Sequence, residues 1–493
     1  MATVGHSRLK KSPTMVSSLS SVRTIIICLL VVALPAVLFL HRQQGLVSAA
    51  CAGAPGSGKA GWAGDLRRVH FSWNHLRFSE GNSPPETLKI AVFSRKWPTA
   101  SVPGGMERHA LTLHSALARR GHRVHVFTSP PVEAAGNGGA AAMPELHFIE
   151  GPAGQWRPND AWSLFKAEDD REPFDVVHSE SVALPHPLAR DLPNLAVSWH
   201  GNALESLQSL LFQAVAQSPE EPFPSGLTSG LQGQPLKVVQ EIAFFKDYTH
   251  HVAITDSGGE MLRDVYQIPD GRVHVIANGV DEEEFSPDEN LGRSFREEIG
   301  VPANATLVIG AAGRLVRDKG HSLLHRAFSR LVKDHPGVYL VVAGSGPWAQ
   351  RYGELCPEVV ALGPMPPAKL KAFYNAIDVF VNPTLRPQGL DLMLMEAMQC
   401  GTPIMATRFP SIKGTLIVDE EFGHLFAPNV EALAEALETA VREGPRRLAE
   451  RGRAGRNYAA SMFTARKMAA AYERLFLCIK RESYCSYPLH FDL

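Results

Sequence analysis

Residues 88–128 hold LKIAVFS (88–94), a short join, PGGMERHALTLHSALARRG (103–121) and HRVHVFT (122–128). The outer two runs are short and apolar, bounded by turn residues, as buried strands are. Between them Met106, Ala110, Leu113 and Leu117 recur at helical spacing, and Gly121 stops the helix. Strand, helix and strand in that order predict a parallel βαβ unit.

Working outward, ELHFIEG (145–151), FDVVHSE (174–180), NLAVSWHG (194–201) and HHVAITDS (250–257) repeat the pattern. Near-continuous apolar runs separated by helices imply a parallel sheet covered on both faces. A second series begins at Thr306 with TLVIGAAGR (306–314), GVYLVVAGSGP (337–347), EVVALGP (358–364), DVFVNPT (378–384), PIMAT (403–407) and LIVDE (416–420). Residues 273–300, polar and acidic in the middle, read as the connection. The organisation expected is therefore an N-terminal α/β domain over 88–285 and a second over 286–465, followed by a C-terminal helix and tail over 466–493. Residues 216–236 are polar and rich in Pro and Gly, and read as a surface loop inside the first domain.

The chain has 493 residues, 45% hydrophobic and 20% charged, with a formal net charge of −1. That is too long for one ordinary domain and too apolar for a disordered chain. Near-neutrality excludes an open polyanion-binding surface, so nucleic acid is not an expected partner. The balance is uneven: residues 1–42 carry five basic and no acidic side chains, leaving 44 basic against 50 acidic in the rest.

Beside the basic end lies TIIICLLVVALPAVLFL (24–40), 17 residues without a charge. With residues 1–23 as a cytosolic tail, this run reads as a single-pass type II signal anchor in the Golgi or endoplasmic reticulum membrane, the body luminal. A cleaved signal peptide, with Val47-Ser48-Ala49 as its site, and a buried core helix are the rival readings. Residues 41–87 mix Gly, Ala, Ser and Pro and read as a stem. Its P-loop-like Gly53–Lys59 has Ala60 where a Ser or Thr should bind magnesium, and no strand leads into it. The six cysteines have no zinc-type spacing, although Cys478 and Cys485 are close enough to pair. Asn304-Ala305-Thr306 is the one glycosylation sequon.

Two doubly wound domains form a cleft at the carboxyl ends of their strands. Four features stand there. Gly104 and Gly105 open a helix and let its N–H groups approach an anion. Arg314 ends a strand and Lys319 follows one loop later, a guanidinium and ammonium placed for a diphosphate. Gly344-Ser345-Gly346 makes a small-residue turn. Gly389 and Leu390 precede a helix holding Glu396 among Leu392, Met393, Met395, Ala397 and Met398. A carboxylate so surrounded needs a partner.

The set PGGMERH, SWHG, NGVD, GRLVRDKG, VVAGSGP and QGLDLMLMEAMQCGTPIMAT resembles retaining nucleotide-sugar glycosyltransferases of family 4 over residues 88–480. The resemblance implies a GT-B fold, two Rossmann-like domains facing across a cleft. It implies transfer of a hexose from a nucleotide-sugar, UDP-linked in preference to GDP-linked, to a hydroxyl acceptor on a glycan, lipid or small molecule. Gly104 and Gly105 would lie against donor phosphate and sugar, with His200 near the reacting face of the sugar. Arg314 and Lys319 would bind the diphosphate, while Leu362 and Gly363 meet the base. Gly389 and Leu390 would present N–H groups to the donor, and Glu396 would accept hydrogen bonds from the ribose.

Gln388 departs from the pattern, because it replaces the first Glu of a Glu-x7-Glu motif that contacts the donor sugar near the reacting carbon. Front-side displacement, with Arg314 and Lys319 stabilising the departing diphosphate, is the mechanism implied. The alternative is a catalytically weak or silent binder of nucleotide-sugar, kept open by Gln388. No cofactor is expected. No metal is expected either: there is no Asp-x-Asp, and His321 and His325 lack a third ligand.

Overall fold

The computed structural model describes residues 61–81, 83–98, 104–131, 143–217 and 223–492. The apolar run 24–40, the P-loop-like segment, Cys28 and Cys51 lie outside the described residues. Among the described residues, no helix is long and apolar enough to cross a membrane.

The strands among the described residues are β1 (Gly64–Asp65), β2 (Lys89–Phe93), β3 (Arg123–Thr128), β4 (Glu145–Phe148), β5 (Val176–Glu180), β6 (Leu195–Trp199), β7 (His250–Ala253), β8 (Val273–Val275), β9 (Leu307–Ala312), β10 (Val338–Ala343), β11 (Val359–Gly363), β12 (Val379–Asn382), β13 (Ile404–Thr407), β14 (Gly423–Phe426) and β15 (Ser486–Tyr487). Strands β2–β8 form one sheet in the order β4-β3-β2-β5-β6-β7-β8, and β9–β14 form another in the order β11-β10-β9-β12-β13-β14. Every pairing in both sheets is parallel. Strand order reverses beside β2 and beside β9, which opens a crevice at the carboxyl ends of the sheet there.

Apart from the edge strands β4, β11 and β14, each sheet is largely buried on both faces, which is why its strands are mainly apolar rather than alternating. In the N-terminal sheet, Ile90, Val92 and Val126 face the helix Gly105–Arg119, while Phe93, Phe127 and Val177 face the helix Pro158–Arg171. In the second sheet, Val308 and Phe380 face the helices Pro367–Ala376 and Leu392–Gln399, while Ile309 and Val381 face His321–Asp334 and Val430–Met462.

The C-terminal helix Ala465–Lys480 returns to the first domain: Met468, Tyr472, Leu475 and Phe476 pack with Ile90, Val92 and Leu113. Its Glu473 accepts from Arg120 at 2.7 Å and meets His122 at 2.8 Å. The chain crosses between domains twice, and the crossings touch. Val280 N donates to Phe463 O at 3.0 Å, and Ala465 N donates to Val280 O at 2.9 Å. Gly279 permits this approach, since a Cβ there would lie 2.2 Å from Thr464 O.

Three expectations need correction. Residues 61–81 are folded rather than a stem, with Leu66, Trp73, Leu76 and Phe78 buried against Val252, Ile276 and Tyr472. Asn74 Nδ2 ties that segment to Met462 O at 2.6 Å. Apolar residues spaced irregularly among polar ones lack a period, yet they still bury. Residues 225–236 belong to the helix Ser225–Phe245 rather than to a loop, despite Pro235, because the helix packs along Ala203–Val215. Residues 416–420 form no strand; Leu416 and Ile417 are buried in the turn after the short helix Pro410–Lys413, and β14 follows instead.

Cys478 and Cys485 form a disulfide, while Cys356 and Cys400 are free. Asn304 is exposed.

Candidate functional site

A cavity of about 1240 Å³ opens between the two sheets at the carboxyl ends of their strands. From the first domain it is lined by Gly104, Gly105, Arg108, His109 and His200, and from the second by Gly313, Arg314, Lys319, Gly344, Gly389 and Leu390. The structure thus brings together Gly104, Gly105, His200, Arg314, Lys319, Gly389 and Leu390. Leu362 and Gly363 sit on β11 and are not in the lining; Pro364 and Met365 form the wall there.

Gly104 caps the helix Gly105–Arg119, leaving its first N–H groups directed at the cavity. Across from it the turn Arg317–Lys319 follows β9. Gly320 ends that turn at φ +73°, where a Cβ would lie 1.7 Å from Pro383 O, so only glycine fits.

The Arg314 side chain is 65% exposed, its nearest carboxylate Asp318 at 3.6 Å. Lys319 Nζ donates to Asp391 Oδ1, and Asp391 Oδ2 accepts from Asn382 at 2.9 Å. Burial alone would raise the Asp391 carboxyl, but Lys319 and Asn382 outweigh it and hold it below the usual range. Lys319 is therefore anchored, and Arg314 projects into the cavity.

Glu396 does not line the cavity. Its side chain, 2% exposed, pairs with Arg108 Nη1 at 2.5 Å and accepts from Tyr374 Oη at 2.7 Å. Arg108 comes from the opposite domain, so the carboxylate that resemblance gives to ribose holds an interdomain salt bridge. A second pair has the reverse polarity: buried Glu205, from the first domain, receives Arg386 Nε at 3.2 Å and Nη2 at 3.0 Å. Breaking either pair by truncating one partner leaves a buried charge, at a cost of roughly 3–5 kcal/mol. Gln388 presents a buried Oε1 with no hydrogen-bond partner among the described residues.

His200 meets Glu180 Oε2 through Nε2 at 2.6 Å. Glu180 ends β5 and is buried within a ring of histidines: His114 at 3.1 Å, His109 at 3.5 Å and His178 at 3.9 Å. Burial would raise the Glu180 carboxyl, but His109, His114 and His200 outweigh it and hold it well below the usual carboxylate range. An ionised Glu180 fixes the His200 ring at the cavity wall. Burial pushes His109 below its ordinary value, against the pull of Glu180.

Sequence reasoning missed Arg108, Glu180, Glu205, Arg386 and Asp391. Glu180 had a signal, a carboxylate closing an apolar strand. Asp391 had one too, an acidic residue directly before a buried helix. The partners of Arg108 and Glu205 lie 288 and 181 residues away along the chain, and no local pattern points to them.

Two family models match: Glycosyltransferase Family 4 over residues 103–284 and Glycosyl transferases group 1 over residues 306–443. A D-inositol 3-phosphate glycosyltransferase of Stackebrandtia nassauensis is 29% identical over 390 residues, 71% of this chain and 82% of that protein. Sucrose-phosphate synthase from Thermosynechococcus elongatus is similar in structure with a TM-score of 0.62 at 21% identity, over 79% of this chain and 98% of that one. Anabaena HepE in complex with UDP-glucose has a TM-score of 0.56 at 17% identity, over 79% of this chain and 99% of that one. The fold is GT-B-like, with two parallel-sheet Rossmann-like domains. Together the matches support a family 4 glycosyltransferase.

Proposed function

We propose that the protein is a retaining, metal-independent hexosyltransferase that takes a nucleotide-sugar, UDP-linked in preference to GDP-linked, and glycosylates a hydroxyl acceptor. The observation that carries this reading is the cavity itself. Gly104 and Gly105 at a helix N-terminus, with Arg314 and anchored Lys319 across from them, make a preorganised electropositive pocket. UDP-glucose in a neighbour of the same fold supports the donor class.

In this mechanism the bond from the sugar's anomeric carbon to the diphosphate oxygen breaks as the acceptor hydroxyl attacks from the same face, its proton passing to an oxygen of the departing diphosphate. Arg314 and Lys319 stabilise the charge that develops on the leaving group, and preorganised donors supply most of the acceleration. His200, held by Glu180, stands at the sugar side. For Glu396 to receive ribose hydroxyls, Arg108 has to yield its place on that carboxylate.

Gln388 favours a second reading, a protein that binds nucleotide-sugar with little turnover. Calorimetry and a product assay with a panel of UDP- and GDP-sugars separate the two. Transfer or donor hydrolysis by the natural protein supports the enzyme. Binding without turnover, together with turnover regained in Gln388→Glu, establishes the weak binder.

Residues 24–40 are proposed as a type II anchor with the body in the Golgi or endoplasmic reticulum lumen. The Cys478–Cys485 disulfide supports an oxidising compartment, and the exposed Asn304 sequon agrees with it. Protease digestion of sealed microsomes tests this: a body cleaved without detergent excludes it.

A further inference from the structure

A second group of side chains, apart from the cleft, converges on β3 and the edge strand β4. His125 is paired in register with Glu145, and His147 lies two residues further along β4, so all three share one face of the sheet. His125 Nδ1 stands 3.0 Å from His147 Nε2 and 3.5 Å from Glu145 Oε2, and His147 Nε2 stands 3.6 Å from Glu145 Oε1. Ligands held at ~2.0–2.1 Å around a tetrahedral zinc stand about 3.3 Å from one another, so these separations fit one face of that tetrahedron.

We propose that His125, Glu145 and His147 form a binding site for a divalent cation of the zinc class. Two imidazoles and a carboxylate are a ligand set for zinc rather than for calcium or magnesium, which take oxygen. Aromatic contacts hold both rings in place: His147 stacks on Phe127 with centroids 4.7 Å apart, and His125 meets the Phe174 ring edge-on at 5.3 Å. If the two rings share one hydrogen bond, only one proton lies among three converging lone-pair atoms. A divalent cation satisfies all three at once.

The neighbouring cations Lys89 and Arg123 are neutralised by Glu172. It receives Arg123 at 2.6 Å and 2.7 Å and lies 3.5 Å from Lys89. The Glu145 side chain is 65% exposed, so solvent reaches the site. Three protein ligands with solvent access leave a fourth position open to water, the pattern of an accessible site rather than a closed structural one. The histidines around Glu180 differ, because that carboxylate is buried and engaged by His200 and His114.

The test uses the full-length protein, stripped of metal with a chelator and titrated with zinc by calorimetry and with cobalt by visible absorption. One equivalent should bind, cobalt should give a tetrahedral spectrum, and His109→Ala should retain both. His147→Ala should weaken zinc at least ~100-fold, beyond the loss of an outer-shell partner. If His147→Ala does not fold, Glu145→Gln, at an exposed position, should still weaken it. Failure of the natural protein to bind an equivalent overturns the proposal. So does binding that survives in folded His147→Ala, or that disappears in His109→Ala instead.

Discussion

Lys319→Ala is expected to lower sugar transfer at least ~100-fold, the scale for losing one preorganised donor to a developing charge. Two effects combine in this variant. The first is loss of the cation that meets the departing diphosphate. The second is structural: Asp391 is half-buried, and Lys319 holds its Oδ1 while Asn382 donates to Oδ2 at 2.9 Å. Removing the lysine leaves that carboxylate short of its counter-charge, which destabilises the protein, by less than the roughly 3–5 kcal/mol of a fully buried pair. A second substitution separates the effects. Lys319→Ala combined with Asp391→Asn has no unpaired charge, so its melting temperature should recover while transfer stays low. Equal activity in purified Lys319→Ala would remove Lys319 from the site. Activity that returns with stability in the double variant would make its role structural only.

The second large effect is acid lability. Burial pushes His178 and His251 down to about 3, and His250 and His321 down to about 4. In the unfolded chain each takes up a proton near ~6.5. Between those values the unfolded state binds more protons, so stability falls as pH drops below about 6.5 and continues to fall until the folded values are reached. Each group contributes about 1.4 kcal/mol per pH unit well inside that window, or on the order of 5 kcal/mol per unit for four. That is a large part of a typical domain's ~5–15 kcal/mol. Glu180 and Asp391 act elsewhere. Their folded values are depressed, so their contribution is present above about pH 4 and is lost only below it. The melting temperature should therefore drop by on the order of 10 °C between pH 7 and pH 5, before those carboxylates titrate. A flat profile over that range would mean that the histidines are not held neutral in the fold.

The charge balance along the chain can now be placed in the structure. Near-neutrality excluded an open polyanion surface but not phosphate bound in a cleft. Arg314 is an exposed cation there, as are Arg95 and Lys237, while three others are tied: Lys319 to Asp391, Arg108 to Glu396, and Arg386 to Glu205.

Local pattern was enough to determine the two parallel α/β sheets, because strands buried on both faces must be apolar along most of their length, and helical spacing separates them. It also placed Gly104, Gly105, His200, Arg314, Lys319, Gly389 and Leu390 at strand ends, where the cavity lies. Tertiary structure alone decided three things. It folded residues 61–81 into the first domain, because irregularly spaced apolar residues have no period to read. It turned the C-terminal helix back across the molecule, because an amphipathic face does not say which surface it covers. And it paired Arg108 with Glu396 and Glu205 with Arg386, because a buried charge requires a counter-charge but local sequence does not say which distant residue supplies it.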